Sequence, residues 1–246
     1  YSDTSAIPET IYYYWVKAVA SVGVSAFSSS DSGYIKSISG QGKVQLWENG
    51  PYWANMNIGA EKPEDYGYYF WWGDTVGYKR ETDKWVASDG SILNFSFFSG
   101  NTPTYGKDNS TLQSEGWITA DGVLSPEHDA AHKHWGGDWR MPTKQEFDDL
   151  KSKCDWVWTT MNGVNGYIVR GRGDYASRSI FLPGVGYGLG TSLLNAGSYG
   201  YYWSSVPGSD YDSDVWFLYF DSSYHGMGLC GRDNGHSVRP LQGFTK

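Results

Sequence analysis

Cysteine is nearly absent from this 246-residue chain: only Cys154 and Cys230 occur, which excludes a disulfide framework and allows one bridge at most. Free thiols are the expectation. Charge is scarce as well, at 19% Asp, Glu, Lys and Arg against a usual roughly 25%, and the formal net charge is -8. No cluster of Lys or Arg supplies the electrostatic footprint that a phosphate backbone or an anionic membrane surface requires, which argues against nucleic acid as a partner. No apolar run approaches the ~18 residues of a membrane span, so direct membrane insertion is not expected. The chain begins at Tyr1 rather than Met, as expected where a signal segment or upstream domain has been removed. Lys, Glu and Gln are all missing from Asp155 to Leu241, so strong helix formers are lacking there and strand and loop are expected.

What remains is an unusual surplus of 13 Trp, 20 Tyr, 10 Phe and 32 Gly. A surface built from Tyr, Ser, Gly, Asn and Asp combines stiff amphipathic contact area with adaptable hydrogen bonds at low side-chain entropy cost. That composition points to recognition.

The first 36 residues read as a unit of their own. Tyr12 to Ala20 is a β-rich run, Ser21-Val22-Gly23 turns it, and Val24-Ser25-Ala26-Phe27 starts a second strand, so a hairpin is expected. The stretch resembles the last two strands of a fibronectin type III module in its Tyr14-Trp15-Val16-Lys17-Ala18 and Gly23-Val24-Ser25. Two strands alone bury too little to be stable. Either such a module is cut in half or the hairpin packs on the main domain, and Ser28 to Ser32 reads as a linker. Residues 37–246 form that main domain, with two expected helices. One starts at Ser125-Pro126-Glu127 and ends at Gly136-Gly137; the other starts at the capping box Thr143-Lys144-Gln145-Glu146 and buries Phe147, Leu150 and Cys154. Two helices against a contorted, mixed, aromatic-rich sheet with much loop predict an α+β domain.

Five phrases carry a more specific likeness: Trp53 to Ala60, Tyr66 to Asp74, Trp135-Gly136-Gly137-Asp138-Trp139-Arg140-Met141-Pro142-Thr143, Gly200-Tyr201-Tyr202-Trp203-Ser204-Ser205 and Ser237-Val238-Arg239-Pro240. In this order they resemble the Fibrobacter-type major paralogous domain, related to the formylglycine-generating enzyme group and common in secreted and surface proteins of gut Bacteroidetes. The likeness runs over residues 43–241. It implies a C-type-lectin-like fold whose last 40 or so residues form a solvent-facing ligand platform, on a protein that is extracellular, on a bacterial cell surface or virion-associated.

A two-residue period in Val215 to Asp221 places Trp216, Leu218 and Phe220 on a core face and Phe217, Tyr219 and Asp221 on an outer one. The outer set continues through Tyr224, His225, Gly226, Gly228, Leu229, Cys230, Gly231, Asp233, Asn234 and His236, with Met227, Arg232 and Val238 as anchors. This segment, about residues 204–240, resembles the variable region of proteins diversified by retroelements that mutate adenines. An Asn codon mutated in that way never yields Lys, Glu, Gln, Met or Trp, and every outer residue named here is of a reachable type. The resemblance implies a protein receptor or a glycan on another cell or virus as the partner; an undiversified glycan-binding or structural surface protein is the alternative.

Other chemistry is weaker. Asp210-Tyr211-Asp212-Ser213-Asp214 alternates carboxylates like a calcium loop, but Val215 stands where such a loop needs Gly, so Asp210, Tyr211, Asp212 and Asp214 read better as an acidic recognition loop. No cofactor is expected, calcium at Asp210, Asp212 and Asp214 being the one candidate. His128, His132 and His134 invite zinc but lack a fourth ligand. Oxidases of the formylglycine-generating type need two neighbouring cysteines; Cys154 ends a helix and Cys230 sits in a Gly-rich loop, so no enzyme activity is expected.

Overall fold

Serine, not a long apolar run, organises the N-terminal segment. The computed structural model describes residues 12–33, 42–91, 95–97, 102–209 and 213–243, and the chain divides into two units, 1–41 and 42–246. In the first, β1 (Tyr12–Tyr14) pairs with β4 (Asp31–Gly33), and β2 (Val19–Ala20) pairs with β3 (Gly23–Val24), all antiparallel. Between these ladders the Ser28 and Ser25 hydroxyls accept hydrogen bonds from Val16 N and Ala18 N, both at 3.0 Å. The backbone amides of the same serines donate to Val16 O and Ala18 O. The stretch from Ser28 to Ser32 is therefore not a linker, since its first residue closes the hairpin and its end enters β4.

The second unit is not the expected fold, a two-helix α+β domain of C-type-lectin-like type; it is mostly β-sheet. Among the described residues strand outweighs helix, 37% against 12%, and there are three short α-helices rather than two. Short strands come first: β5 (Lys43–Gln45), β6 (Tyr52–Ala54), β7 (Tyr69–Phe70), β8 (Tyr78–Glu81) and β9 (Lys84–Ala87). The helices come next as α1 (Asn109–Ser114), α2 (Ala130–Trp135) and α3 (Lys144–Lys153). Thereafter the chain is strand: β10 (Asp155–Met161), β11 (Val164–Arg170), β12 (Ser179–Pro183), β13 (Tyr187–Leu189), β14 (Ser192–Leu194), β15 (Gly200–Pro207), β16 (Asp214–Phe220), β17 (His225–Gly231), β18 (His236–Ser237) and β19 (Leu241–Gln242). The physical reason for the shift toward β is local: glycine, aromatic and β-branched residues replace helix formers after Cys154, and the helices that do form are short.

Each helix start is set by one side chain. Thr143 and Glu146 form the predicted capping box on α3, whose Phe147 and Leu150 are buried. Asp129, rather than Ser125, caps α2, accepting from Ala131 N at 2.8 Å and His132 N at 3.0 Å, so this helix starts later than the Ser-Pro-Glu signal predicts. Ser125 instead donates its hydroxyl to Gly116 O at 2.7 Å. Asp108 caps α1 through Thr111 N, a helix outside the two that the sequence predicts.

The central feature is a seven-stranded mixed sheet in the order β17-β16-β15-β18-β7-β8-β9, with β15 and β18 parallel and the other neighbours antiparallel. Strands β19, β6 and β5 form a small sheet that joins the two ends of the domain, and β10, β11 and β12 form another. Alternation along β16 divides two apolar clusters. Leu218 and Phe220 enter one with Trp53, Phe147, Leu150 and Tyr202, on the side where α3 packs. Val215 and Phe217 enter the other with Phe70, Trp72, Leu112, Met141, Trp203 and Val238. The sheet is thus covered on both faces over part of its area, and the uncovered remainder of the second face is where side chains reach solvent.

Candidate functional site

The exposed remainder is a group of tyrosines. Strands β15 and β16 pair Tyr201 with Tyr219 and Trp203 with Phe217, so these four side chains share one face. Tyr199 lies against Tyr219 with ring centroids 5.8 Å apart, Tyr187 against Tyr201 at 4.8 Å, and Tyr224 beside Tyr219 at 6.1 Å. Tyr201 is half-buried over Phe217, nearly parallel to it at 5.7 Å. Tyr224 is 55% exposed and is the outermost of the group. Rings held by rings lose little entropy on binding, since each side chain already has few rotamers open to it.

Glycines make room for the two rings nearest β17. Gly226 pairs with Tyr219 and Gly228 with Phe217. A Cβ on Gly226 would stand 2.3 Å from the Tyr224 hydroxyl oxygen, and one on Gly228 would stand 2.9 Å from the Phe217 ring. The aromatic side chains therefore occupy the space that other residues would fill. A substitution at Gly226 is relieved by swinging the exposed Tyr224 aside, whereas at Gly228 it presses on a nearly buried ring.

Asp221 fixes the turn between β16 and β17. Its Oδ1 accepts from Ser223 N at 2.7 Å, Ser223 Oγ at 2.8 Å and Tyr224 N at 3.0 Å, while Oδ2 accepts from the Tyr219 hydroxyl at 3.2 Å. Hydrogen bonding from the Ser223 amide, followed by its hydroxyl, holds the Asp221 carboxyl below the usual range. Burial, then the bond to Asp221, pushes the Tyr219 phenol up to about 12. Asp221 thereby positions Tyr219 and Tyr224 as well as lending charge to the surface.

The remaining predicted ligand residues are spread over several environments. Asp210, Tyr211 and Asp212 lie outside the described residues. Cys230 shares the face of Gly226, Gly228 and Tyr219, and Asp214 is half-buried at the start of β16. The expectation of one outer surface running through residues 225 to 231 is corrected by the strand β17, which pairs with β16 along its whole length and so alternates. His225, Leu229 and Gly231 lie on the α3 side, where His225 stacks on Trp156 at 4.5 Å and 9°. Three other residues are interior. Phe217 is 8% exposed, Asp233 is buried with its carbonyl accepting from Trp71 Nε1 at 2.9 Å, and His236 is 1% exposed and stacked on Trp203 at 3.9 Å. Burial holds the His236 imidazole well below its ordinary value, so it is neutral at pH 7. Asn234 spends its side-chain amide on Gly231 O at 3.1 Å.

Tyr187 and Tyr199 join this surface without any local sequence signal, and Tyr201 joins it as well. Tyr201 stands in a phrase that reads as core, and only strand alternation separates it from Tyr202, which is buried and donates to Pro183 O at 2.8 Å.

The chemistry weighed against binding finds little geometry. Among the described residues no three His, Cys, Asp or Glu side chains converge as metal ligands. His128 precedes α2 and stacks on Trp117 at 3.8 Å, His134 bonds Thr75 O at 2.9 Å, and only His132 is left to face the neighbouring cleft. Both thiols are free, on opposite faces of the sheet: Cys154 in the α3 cluster, Cys230 against the other. Burial pushes Cys154 up to about 12 and Cys230 well above its ordinary value, the reverse of an activated nucleophile. Among the described residues no helix is long and apolar enough to cross a membrane.

Comparison of the chain with protein-family profiles, with curated proteins and with solved structures returns no match.

Proposed function

We propose that residues 42–246 form a recognition domain, without enzymatic activity, that binds a protein receptor or a glycan on another cell or virus. The ligand surface is the tyrosine face of β15, β16 and β17, and the coding segment for residues 204–240 is diversified by an adenine-mutating retroelement. The observation that carries this reading is the cluster of Tyr187, Tyr199, Tyr201, Tyr219 and Tyr224, neighbouring rings 4.8 to 6.3 Å apart on a paired sheet, with the outermost ring 55% exposed. Tyrosine is the side chain that most often carries binding energy in such a setting, together with Trp and Arg. Display to an outside partner implies an extracellular, cell-surface or virion-associated protein.

The face assignment adds support for diversification. The two residue types between Val206 and His236 that adenine mutation of an Asn codon cannot reach are Trp216 and Met227. Both stand on the α3 side of the sheet, Trp216 beneath Lys144 Nζ at 4.7 Å and Met227 opposite Leu218. The resemblance of the five sequence phrases to the Fibrobacter-type paralogous proteins and to retroelement-diversified proteins points the same way. The locus is expected to hold a reverse transcriptase gene and a near-copy of the coding segment for residues 204–240 that differs at adenines. Sequencing that finds neither removes the diversification and leaves a fixed surface, of which glycan binding is the natural second reading.

A further inference from the structure

A second cavity shares no lining residue with the tyrosine surface. It is a cleft of about 700 Å³ between the loop before α2, the loop joining α2 to α3, and the end of β15, within the roughly 300–1,000 Å³ of small-molecule sites. Its apolar lining includes Leu124, Met141 and Trp139, the last braced edge-on by Trp135 at 4.9 Å. Ser205 and Thr119 both line this cleft, and the hydroxyl of each is buried without a hydrogen bond inside the protein. Ser205 is 3% exposed, and its position is fixed: its amide donates to Pro142 O at 2.7 Å and its carbonyl accepts from Leu124 N at 2.9 Å. The adjacent Ser204 shows the ordinary outcome for such a group, since its hydroxyl accepts from Val206 N at 3.2 Å. A buried hydroxyl left unpaired costs free energy, so two of them in one cleft are a demand for an outside partner.

The charges around them define what that partner is. The two buried carboxylates of the lining are spent. Asp129 takes the amides of Ala131, His132 and Met141, and Glu146 takes Arg140 and the Thr143 amide. No bare buried charge therefore calls for a cation. At the rim Asp121 and Asp138 are exposed and repel an anion. A ligand that offers hydroxyls to hydroxyls and carbon-bound hydrogens to an indole and two aliphatic side chains is a neutral sugar. We infer that this cleft is a binding site for a neutral pyranoside of one or two rings, held over Trp139 and hydrogen-bonded by Ser205 and Thr119.

The test is titration of the full chain with the methyl α- and β-glycosides of glucose, galactose, mannose and N-acetylglucosamine, monitored by saturation-transfer NMR and tryptophan fluorescence. At least one is expected to bind saturably, and Ser205→Ala and Thr119→Val each to weaken it roughly fivefold, the worth of one hydrogen bond. Ser205→Ala removes a buried hydroxyl that bonds nothing in the protein, so its Tm should equal or exceed that of the parent and separate lost binding from lost folding. Tyr224→Ala should leave the titration unchanged, which keeps this site distinct from the tyrosine surface. Absence of saturable binding by every glycoside overturns the inference, as does equal affinity for the parent, Ser205→Ala and Thr119→Val.

Discussion

Replacing Arg239 by Ala is expected to destabilise the C-terminal domain by about 3–5 kcal/mol, because a buried hydrogen-bond network loses its central donor and a cavity opens. Arg239 is fully buried and no carboxylate faces it among its hydrogen-bond partners. Its Nε donates to Asn57 Oδ1 at 2.9 Å, Nη1 to Ala54 O at 3.0 Å and Nη2 to Phe181 O at 2.8 Å. One guanidinium thus ties the end of β6 and the loop after it, the middle of β12 and the segment leading into β19. Burial lowers its pKa to about 10, which still leaves it charged at pH 7. Truncation orphans three buried acceptors together and opens a cavity, so the effects compound. Urea unfolding of the parent and the variant measures the loss; a change below about 1 kcal/mol would mean that the network is not what holds these three segments together.

Leu218→Ala is expected to cost about 2–5 kcal/mol, and Trp216→Ala distinctly less, although the two side chains point to the same face of β16. The sequence period alone assigns both to the core and predicts that either truncation unfolds the domain. In the structure Leu218 is 0% exposed and lies between Tyr202 of β15 and Met227 of β17, whereas Trp216 is half-buried. The Trp216 ring borders the start of α3, where Lys144 covers it, so its removal exposes surface and does not hollow out the interior. Thermal melts of the two variants, run side by side, should order them in that sense. Equal losses would place Trp216 in the core and would move the edge of the α3 layer outward.

How far the sequence reaches is clearest at the helices. Helix α3 is legible because a capping box and a buried stripe coincide at Thr143, Glu146, Phe147 and Leu150. Helix α2 is misplaced because Ser125 looks like a cap and Asp129 acts as one, a choice made by tertiary contact: the second carboxylate oxygen of Asp129 also takes the Met141 amide at 2.8 Å. Helix α1 has six residues and one buried apolar side chain, Leu112, too little for any period to register. The two halves of the candidate site differ in the same way. The alternation of Phe217, Tyr219 and Asp221 along β16 can be read locally, but β17 carries three glycines and reads as loop until its register with β16 is known. That register sends His225 and Leu229 to the α3 face and keeps Gly226, Gly228 and Cys230 with the tyrosines. Tyr187 and Tyr199 reach the surface from loops and from a separate two-stranded ribbon, a meeting that depends on long-range packing and leaves no local signal.

The recognition role of the domain depends on the tyrosine face being the surface that meets the partner. The direct measurement is binding of the labelled full chain to a panel of microbial and host cells and to a glycan array, for the parent and for Tyr224→Ala combined with Tyr199→Ala. Loss of two aromatic anchors, Tyr224 exposed and Tyr199 half-buried, is expected to weaken binding to any target bound by the parent by at least roughly thirtyfold, with the overall fold intact by circular dichroism. Binding that survives the double substitution unchanged, or no bound target at all, would contradict the assignment.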